Sequence, residues 1–236
     1  MTEEDRIIPH DYELIGKIML NLIANKIVSV QPKLNPSTTI YYTQLEFKNG
    51  KIVSSTVSEQ KNVVTRKLKT VLSDDVHAMA KSIVTEINNE LLTDIFNNCG
   101  TIGKREKADK DSIYSAIISA SGVIYRKTYR EGKYWIVVSP AVYQKYNEAF
   151  DLFKNGNYTV HCVEGSWKGN ENTILIGRQG KHLFDHSYIW SPYIMIAKTP
   201  VVLDENFAPQ REIIMRYGKF LSRQGPKAFA KIVLEE

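Results

Sequence analysis

The stretch that decides the fold is Ser73–Asn98, SDDVHAMAKSIVTEINNELLTDIFNN. Its apolar residues recur every three or four positions along one stripe, a pattern that predicts an amphipathic helix. Ser73 is a favourable N-cap, the two aspartates after it suit the positive end of a helix dipole, and Gly100 suits the position just beyond the C-terminus. At 1.5 Å per residue, a helix over residues 74–98 would be about 37 Å long. We therefore expect a spine on which other elements pack. The stripe consists of Val76, Met79, Ala80, Ile83, Ile87, Leu91 and Ile95.

A β-hairpin is predicted shortly before this helix. Residues 40–47 are rich in Tyr, Thr and Phe, and residues 52–57 resume an extended pattern. Between them, Lys48-Asn49-Gly50-Lys51 is a strong turn sequence. An isolated two-stranded hairpin is only marginally stable in water. We therefore expect this hairpin to lie on another surface, and a second subunit is one candidate.

Helices and strands fill the rest of the chain. An amphipathic helix from about His10 to Ala24 is predicted, followed by an extended segment over Lys26–Gln31. After the long helix the pattern is helix, buried strand, helix and then mostly strand. The corresponding segments are Asp111–Tyr125, Trp135–Val138, Ser139–Phe153, Tyr158–Val163, Asn172–Gly177, Ser187–Met195, Val201–Leu203, Arg211–Leu221 and Lys227–Leu234. The last two strands are predicted to form a hairpin-like pair.

Length and composition indicate an ordinary globular protein. The 236 residues fit one large domain or two small ones, and 43% hydrophobic with 24% charged residues excludes a disordered, collagen-like or coiled-coil chain. Two cysteines are too few for a disulfide framework and suit a reducing compartment. The acidic start is unlike a secretory signal, and the apolar stretch over residues 14–30 is interrupted too often to span a membrane. We expect a soluble chain made inside the cell, with no membrane partner.

The sequence offers no convincing catalytic, metal or cofactor motif. Gly103-Lys104 is followed by Arg105 and lacks the earlier glycine of a phosphate-binding loop. Ser166 stands one place too early for a nucleophile elbow. His182 and His186 have metal-ligand spacing only on a helix, whereas their neighbours indicate a loop. We therefore expect no enzyme activity, no cofactor and no metal.

Basic residues are concentrated near the end of the chain. Residues 206–234 carry Glu212 as the only acidic residue, and their excess of five positive charges equals the +5 of the whole chain. Three interpretations stay open at this point: a solvated strand face, a surface facing an acidic neighbouring subunit, or a nucleic-acid platform. The basic residues are Arg211, Arg216, Lys219, Arg223, Lys227 and Lys231.

The order of several short motifs resembles the major capsid proteins of T-even-type tailed bacteriophages. That family has a Val-Gly-Tyr-Lys-Gly-like strand, then Ala-Pro-Tyr-Val/Ile-Pro, then Phe-x-Pro, then Thr-Arg-Tyr-Gly. The segment Leu22–Pro32 and the helix with Glu86-Ile87-Asn88 resemble parts of the family further upstream. In this chain the matching motifs of the final third are Ile174-Leu175-Ile176-Gly177-Arg178-Gln179-Gly180, Trp190-Ser191-Pro192-Tyr193-Ile194, Phe207-Ala208-Pro209-Gln210 and Arg216-Tyr217-Gly218.

The resemblance implies an α+β fold, the tailed-phage major capsid fold shared with encapsulins and the herpesvirus capsid floor. This fold has a long spine helix, peripheral and axial domains, and an extended β-hairpin loop that reaches a neighbour. Applied to this chain, it gives five segments. They are residues 1–38 as an N-terminal helix and connector, 39–72 as the extended loop, 73–109 as the peripheral domain with the spine helix, 110–204 as the axial domain and 205–236 as C-terminal strands returning to the peripheral domain.

The function implied is that of a shell subunit. Copies of the chain would form pentamers and hexamers that close into an icosahedral virion capsid around double-stranded DNA, assembled in the host cytoplasm with separate scaffold, portal or vertex proteins. The alternatives are an encapsulin-like compartment shell and a nucleic-acid-binding module that uses the basic C-terminal strands. The residues expected at subunit contacts are Lys48, Asn49, Gly50, Lys51, Arg66, Lys67, Arg211, Arg216, Arg223 and Lys227.

Overall fold

The protein folds as an α+β structure, as predicted. The computed structural model describes residues 12–30, 40–48, 51–60, 63–71, 76–105, 109–154, 156–169, 171–181, 185–198, 200–203, 205–207, 209–222 and 225–234. Its helices are α1 Tyr12–Asn21, α2 Ala24–Ile27, α3 Val76–Asn98, α4 Lys110–Thr128, α5 Pro140–Lys145, α6 Asn147–Asp151 and a 3-10 helix Gly225–Ala228. Its strands are β1 Ser29–Val30, β2 Ile40–Lys48, β3 Lys51–Gln60, β4 Val63–Val71, β5 Gly100–Arg105, β6 Lys133–Val138, β7 Tyr158–Cys162, β8 Thr173–Gln179, β9 Tyr188–Lys198, β10 Val202–Leu203, β11 Pro209–Leu221 and β12 Phe229–Leu234.

The chain forms two compact units. The hairpin unit contains the described parts of Val30–Ser73 and Trp190–Phe220. The spine unit contains Tyr12–Ser29 and the described parts of Asp74–Ile189 and Leu221–Glu236. None of the described helices combines the length and the apolar character that a membrane crossing requires.

The spine unit is built on α3, which confirms the long helix predicted from the sequence. Its 23 residues make it about 34 Å long. Residues of its apolar stripe, among them Ile83, Ile87 and Ile95, are buried, and α1 packs against the helix. The Asn88 side chain on α3 accepts a hydrogen bond of 3.0 Å from the backbone N–H of Ile23, just beyond α1.

The spine unit also contains a mixed five-stranded sheet, in the order β5-β12-β8-β6-β7. The pairs β12–β8 and β8–β6 are antiparallel, whereas β5–β12 and β6–β7 are parallel. Helix α4 begins at an Asp109 capping box and packs Ile113, Ile117 and Ile124 into the core beside this sheet. The predicted buried strand is β6, whose Trp135–Val138 stretch is fully inaccessible to solvent.

The hairpin unit contains two β-structures. Strands β9, β11 and β10 form a sheet in that order with β1 at its edge, and β4 pairs along β11 from Val71–Gln210 to Val63–Gly218. Strands β2 and β3 form the predicted antiparallel hairpin, from the Ile40–Gln60 pair to the Lys48–Lys51 pair. The expected Asn49-Gly50 turn lies outside the described residues.

Three local predictions are wrong. Lys26 and Ile27 belong to the short helix α2, and the predicted third helix is divided at Tyr146 into α5 and α6. The last two long strands also do not pair, because β11 lies in the sheet of the hairpin unit and β12 lies between β5 and β8. Both edges of β12 are occupied, by β5 on one side and by β8 on the other, so no edge remains for β11.

Gly177 is required by close packing at the centre of this sheet. It lies between Trp135 on β6 and Phe229 on β12, which are its register partners and whose rings are 5.7 Å apart. A Cβ at residue 177 would lie deep inside the van der Waals contact distance of the Trp135 ring. The glycine therefore makes the room that the indole occupies.

We expect Gly177→Ala to lower the free energy of unfolding by about 1–3 kcal/mol, because the buried indole has to move. Urea denaturation followed by tryptophan fluorescence measures the effect. Gly122→Ala is the matched control, since Gly122 lies on the exposed face of α4 with nothing within 4 Å of an added Cβ. This control is expected to stabilise the chain by about 0.5–1 kcal/mol. Equal effects at the two positions would contradict the packing argument.

Candidate assembly surfaces

The hairpin brings two of the predicted contact residues together at one end. Lys48 ends β2, Lys51 begins β3, and their Cα atoms are register partners. Asn49 and Gly50 between them lie outside the described residues. At about 3.3 Å per residue, the nine residues of β2 give the hairpin a length of about 30 Å. Among the described strands, β2 and β3 pair only with each other.

Four further predicted contact residues lie on the neighbouring strands β4 and β11. Arg66 is the register partner of Met215, and Lys67 is the partner of Ile214. Arg211 and Arg216 lie on β11 itself. The register therefore collects basic residues that are about 150 positions apart in the chain onto two adjacent strands.

The basic stretch at the end of the chain is divided between the two units. Arg211 and Arg216 belong to the hairpin unit, whereas the exposed Lys227 lies on the 3-10 helix of the spine unit. Arg223 lies outside the described residues. The composition of this stretch alone therefore does not show that its basic residues form one surface.

Lys231 has a structural role that the sequence did not reveal. Its Nζ donates a 2.9 Å hydrogen bond to the backbone carbonyl of Phe96 and lies 3.9 Å from the centre of the Phe96 ring. A cation at this place satisfies a carbonyl in the last turn of α3 and complements the negative end of its dipole. No local sequence pattern links a lysine on the last strand to a carbonyl of the long helix.

The Ile174–Gly180 motif has an internal, structural role. Arg178 on β8 has a side chain only 2% exposed, and its Nη1 and Nη2 donate to the carboxylate of Asp185 at 2.9 and 2.7 Å. Arg130 donates to the same carboxylate at 2.5 Å, and the backbone N–H of Lys181 does so at 3.0 Å. These hydrogen bonds hold the pKa of Asp185 well below its usual range, and those from Arg178 make the largest contribution.

We expect Asp185→Ala to lower the free energy of unfolding by about 3–5 kcal/mol, because it leaves the buried Arg178 cation without its partner. Arg130→Ala is the matched control. Its side chain is half exposed, and we expect a loss of about 1 kcal/mol or less. Chemical denaturation at pH 7 measures both variants, and similar losses would contradict a buried ion pair as the stabilising feature.

The same ion pair predicts that the stability of the wild-type chain and that of Asp185→Ala depend differently on pH in acid. Because the pKa of Asp185 is lower in the folded chain than in the unfolded chain, its contribution is present above the unfolded pKa of about 4 and is lost as the pH falls towards the folded value. The wild-type chain should therefore lose more stability than Asp185→Ala when the pH falls below about 4. Parallel curves for the two chains would argue against this assignment.

Exposed apolar side chains form two further surfaces. On α4, Tyr114, Ile118 and Tyr125 follow one face, and Tyr129 just after the helix is 85% exposed. In the hairpin unit, the β10–β11 connection exposes Phe207 to 80%, beside the exposed strand β10. Phe207 also has a φ of 59°, a left-handed conformation that bulky residues rarely adopt. Strain of this kind often marks a functional position.

Within the described part of the chain, no three His, Cys, Asp or Glu side chains are grouped so that they could hold a metal ion. The features that stand out are instead an extended hairpin, basic neighbouring strands and exposed apolar faces. Such features are typical of surfaces that contact other macromolecules.

Comparison with solved structures defines the class of fold. The chain is similar to a chain of Mycobacterium phage Che8, with 11% identity, a TM-score of 0.59 and coverage of 98% of this chain and 91% of that one. It is similar to the virus-like particle of Pyrococcus furiosus, with 12% identity, a TM-score of 0.57 and coverage of 94% and 100%. The encapsulin complex of Synechococcus elongatus PCC 7942 gives 8% identity, a TM-score of 0.53 and coverage of 97% and 90%. At such low identities these similarities show the fold alone, which is the tailed-phage capsid fold.

A family model then identifies the particular group. The model described as major capsid protein Gp23 matches residues 76–229, more than half of the chain. The chain therefore belongs to the Gp23 major capsid protein family, which confirms the predicted resemblance and the function of a major capsid protein of the virion. An encapsulin-like compartment is less supported than this function. No curated protein matches the chain in sequence.

Proposed function

We propose that copies of this major capsid protein assemble as pentamers and hexamers into an icosahedral shell that encloses double-stranded DNA. Assembly takes place in the host cytoplasm with separate scaffold, portal or vertex proteins, and the chain performs no catalytic step. Repeated heterologous contacts that close into rings and then into a shell make modest individual interfaces cooperative. Membership of the Gp23 family and the unpartnered hairpin support this proposal.

The hairpin is the observation that carries the self-assembly proposal. The hairpin is about 30 Å long, and no other strand in the described part of the chain pairs with either of its outer edges. An isolated two-stranded hairpin is only marginally stable. Contact with a neighbouring subunit would cover this ribbon and order it. In this proposal residues 39–72 form the extended loop, whose outer part is β2–β3 and whose last strand, β4, returns to the sheet with β11.

In this proposal, basic residues and exposed apolar side chains contribute to different contacts between subunits. Lys48 and Lys51 at the end of the hairpin would meet acidic groups of the neighbour over which it lies, together with Asn49 and Gly50. A second set of contacts with acidic neighbours would be made by Arg66, Lys67, Arg211, Arg216, Arg223 and Lys227. The exposed apolar faces of α4 and of the β10–β11 connection would supply buried area, because removing apolar surface from water drives most protein association. In this proposal residues 73–109, 110–204 and 205–236 serve as the peripheral domain, the axial domain and the returning strands.

Shortening the hairpin tests the proposal directly. Replacing Thr43–Val57 by a two-residue Asn-Gly turn keeps the register, because Tyr42 and Ser58 are partners. We expect the shortened chain to keep the cooperative unfolding of the spine unit but to lose closed particles. Light scattering and negative-stain microscopy of purified chains measure the outcome.

The control is the double variant Lys48→Arg, Lys51→Arg, which keeps the hairpin length and charge and should still form particles. Closed particles from the shortened chain would contradict the role of the hairpin, and a strictly monomeric full-length chain would contradict assembly itself. In purified virions, nuclease-resistant double-stranded DNA is the expected content. A co-purified enzyme in place of DNA would favour a compartment instead.

Phe207 provides a separate test that distinguishes assembly from folding. Phe207→Gly removes the exposed ring and suits the positive φ, so we expect the melting temperature of the subunit to stay level or rise while particle yield falls several-fold. Phe207→Tyr keeps the ring and should keep the yield. Particle yield from sedimentation and thermal unfolding of dissociated subunits are the two readouts. An unchanged yield with Phe207→Gly would remove this side chain from the contacts.

A further inference from the structure

A groove of about 690 Å³ runs through the spine unit between two helices and the end of a strand. One wall comes from α1 and the residues just after it, a second from the first half of α3, and the third from β7 and the loop that follows. The groove belongs to none of the surfaces described above. Residues that line it include Lys17, Leu20, Lys26, Lys81, Val160 and Glu164.

The strand wall of this groove is an open sheet edge. Strand β7 pairs in parallel with β6 and is the last strand of its sheet in the described part of the chain. The carbonyl of Asn157 accepts from Tyr134 at 2.8 Å, and the N–H of Val163 donates to Val138 at 2.9 Å, so residues 157 and 163 direct their backbone towards β6. Backbone direction alternates along a strand. The N–H and C=O groups of Val160 and Cys162 therefore point away from β6, along the wall of the groove.

The rim of the groove is basic. Among the described residues, Lys17, Lys26 and Lys81 line it together with one acidic residue, Glu164. Lys17 is already paired with Glu13 at 2.6 Å, so Lys26 and Lys81 carry the excess positive charge. Lys81 and Glu164 approach only to 3.9 Å, and both side chains are more than three-quarters exposed, so this ion pair is weak. His161 adds no positive charge at neutral pH, because burial, reinforced by Lys26, lowers its pKa to about 4.

The remainder of the lining is mixed, with polar side chains from α1 and α3 beside apolar ones. Leu20 projects from α1 and is 77% exposed, although it lies beside a groove. Val84 on α3 and Val163 after β7 supply further apolar surface. A partner with alternating acidic and apolar side chains would match both the rim and the floor.

We propose that this groove binds an extended acidic segment of another polypeptide, which adds a strand to the free edge of β7. Main-chain hydrogen bonds to Val160 and Cys162 fix the direction of the segment, as in other cases of strand addition. Its carboxylates lie near Lys26 and Lys81, and its apolar side chains cover Leu20 and Val84. A peptide fits better than a nucleic acid, because a nucleic-acid backbone cannot continue the donor and acceptor ladder of a strand.

The probe is a fluorescent octapeptide of alternating valine and glutamate, titrated into the dilute full-length chain and followed by fluorescence anisotropy. We expect saturable binding that weakens with salt, and slower amide exchange at Val160 and Cys162 in the complex. A valine–lysine octapeptide of the same length should not bind, because the rim carries the same sign of charge. These measurements do not depend on shell assembly, so the proposal can fail while the proposed function holds.

A matched pair of variants tests the strand edge. Cys162→Pro removes a donor that points away from β6, a position where an edge strand tolerates proline, and should weaken binding about fivefold or more. Cys162→Ser keeps the donor and should bind as the wild-type chain does. The double variant Lys26→Glu, Lys81→Glu should weaken binding about tenfold or more, through loss of charge complementarity.

Three outcomes would overturn the proposal. One is the absence of binding by the valine–glutamate peptide, or binding that Cys162→Pro leaves unchanged. A second is protection of Val160 and Cys162 that rises with protein concentration alone, which would assign the edge to a second copy of this chain. A third is binding of a single-stranded DNA oligomer that displaces the peptide and depends on Lys26 and Lys81, which would make the groove a phosphate site.

Discussion

Burial of the apolar face of α3 is the constraint on which the spine unit depends. A helix of 23 residues with one apolar stripe is stabilised mainly by packing of that stripe, so other elements have to cover it along its whole length. Three segments far apart in sequence form hydrogen bonds to α3 in addition to packing against it. Ile23 donates to Asn88, Tyr188 donates to Asp94, and Lys231 donates to the carbonyl of Phe96. The helix therefore joins one segment that precedes it and two that lie far after it in one unit.

Sequence patterns predicted the elements whose signals are local. The Asn-Gly turn between two extended runs indicated the hairpin, and the three- and four-residue spacing of apolar side chains indicated α3. Pairing between distant strands has no such signal. In the sequence, β12 follows β11 after a short turn, as the second strand of a hairpin would. In the structure it pairs with β5 and β8 instead, and no local pattern in the sequence indicates those partners.

The candidate surfaces divide in the same way. Composition located the basic residues, but the register of β4 along β11 decides which of them are neighbours, and composition carries no register. It also could not show that Lys231 is already engaged by α3. The Ile174–Gly180 motif marked the family correctly. Its physical role could not be read from the motif alone. Gly177 makes room for the indole of Trp135, which is distant in sequence, and the buried cation of Arg178 is paired with Asp185, which belongs to no recognisable pattern.

The parallel pairing of β5 with β12 has a consequence for folding. It places Gly100 beside Ala230, so two neighbouring strands of the sheet are far apart along the chain. Closing so large a loop is slow, because its entropy cost comes before the contacts that offset it. Until β12 docks, β5 and β8 lack their shared neighbour, and unpaired strand edges can pair with other chains. The topology thus makes the sheet of the spine unit late to form and open to wrong partners while it is incomplete.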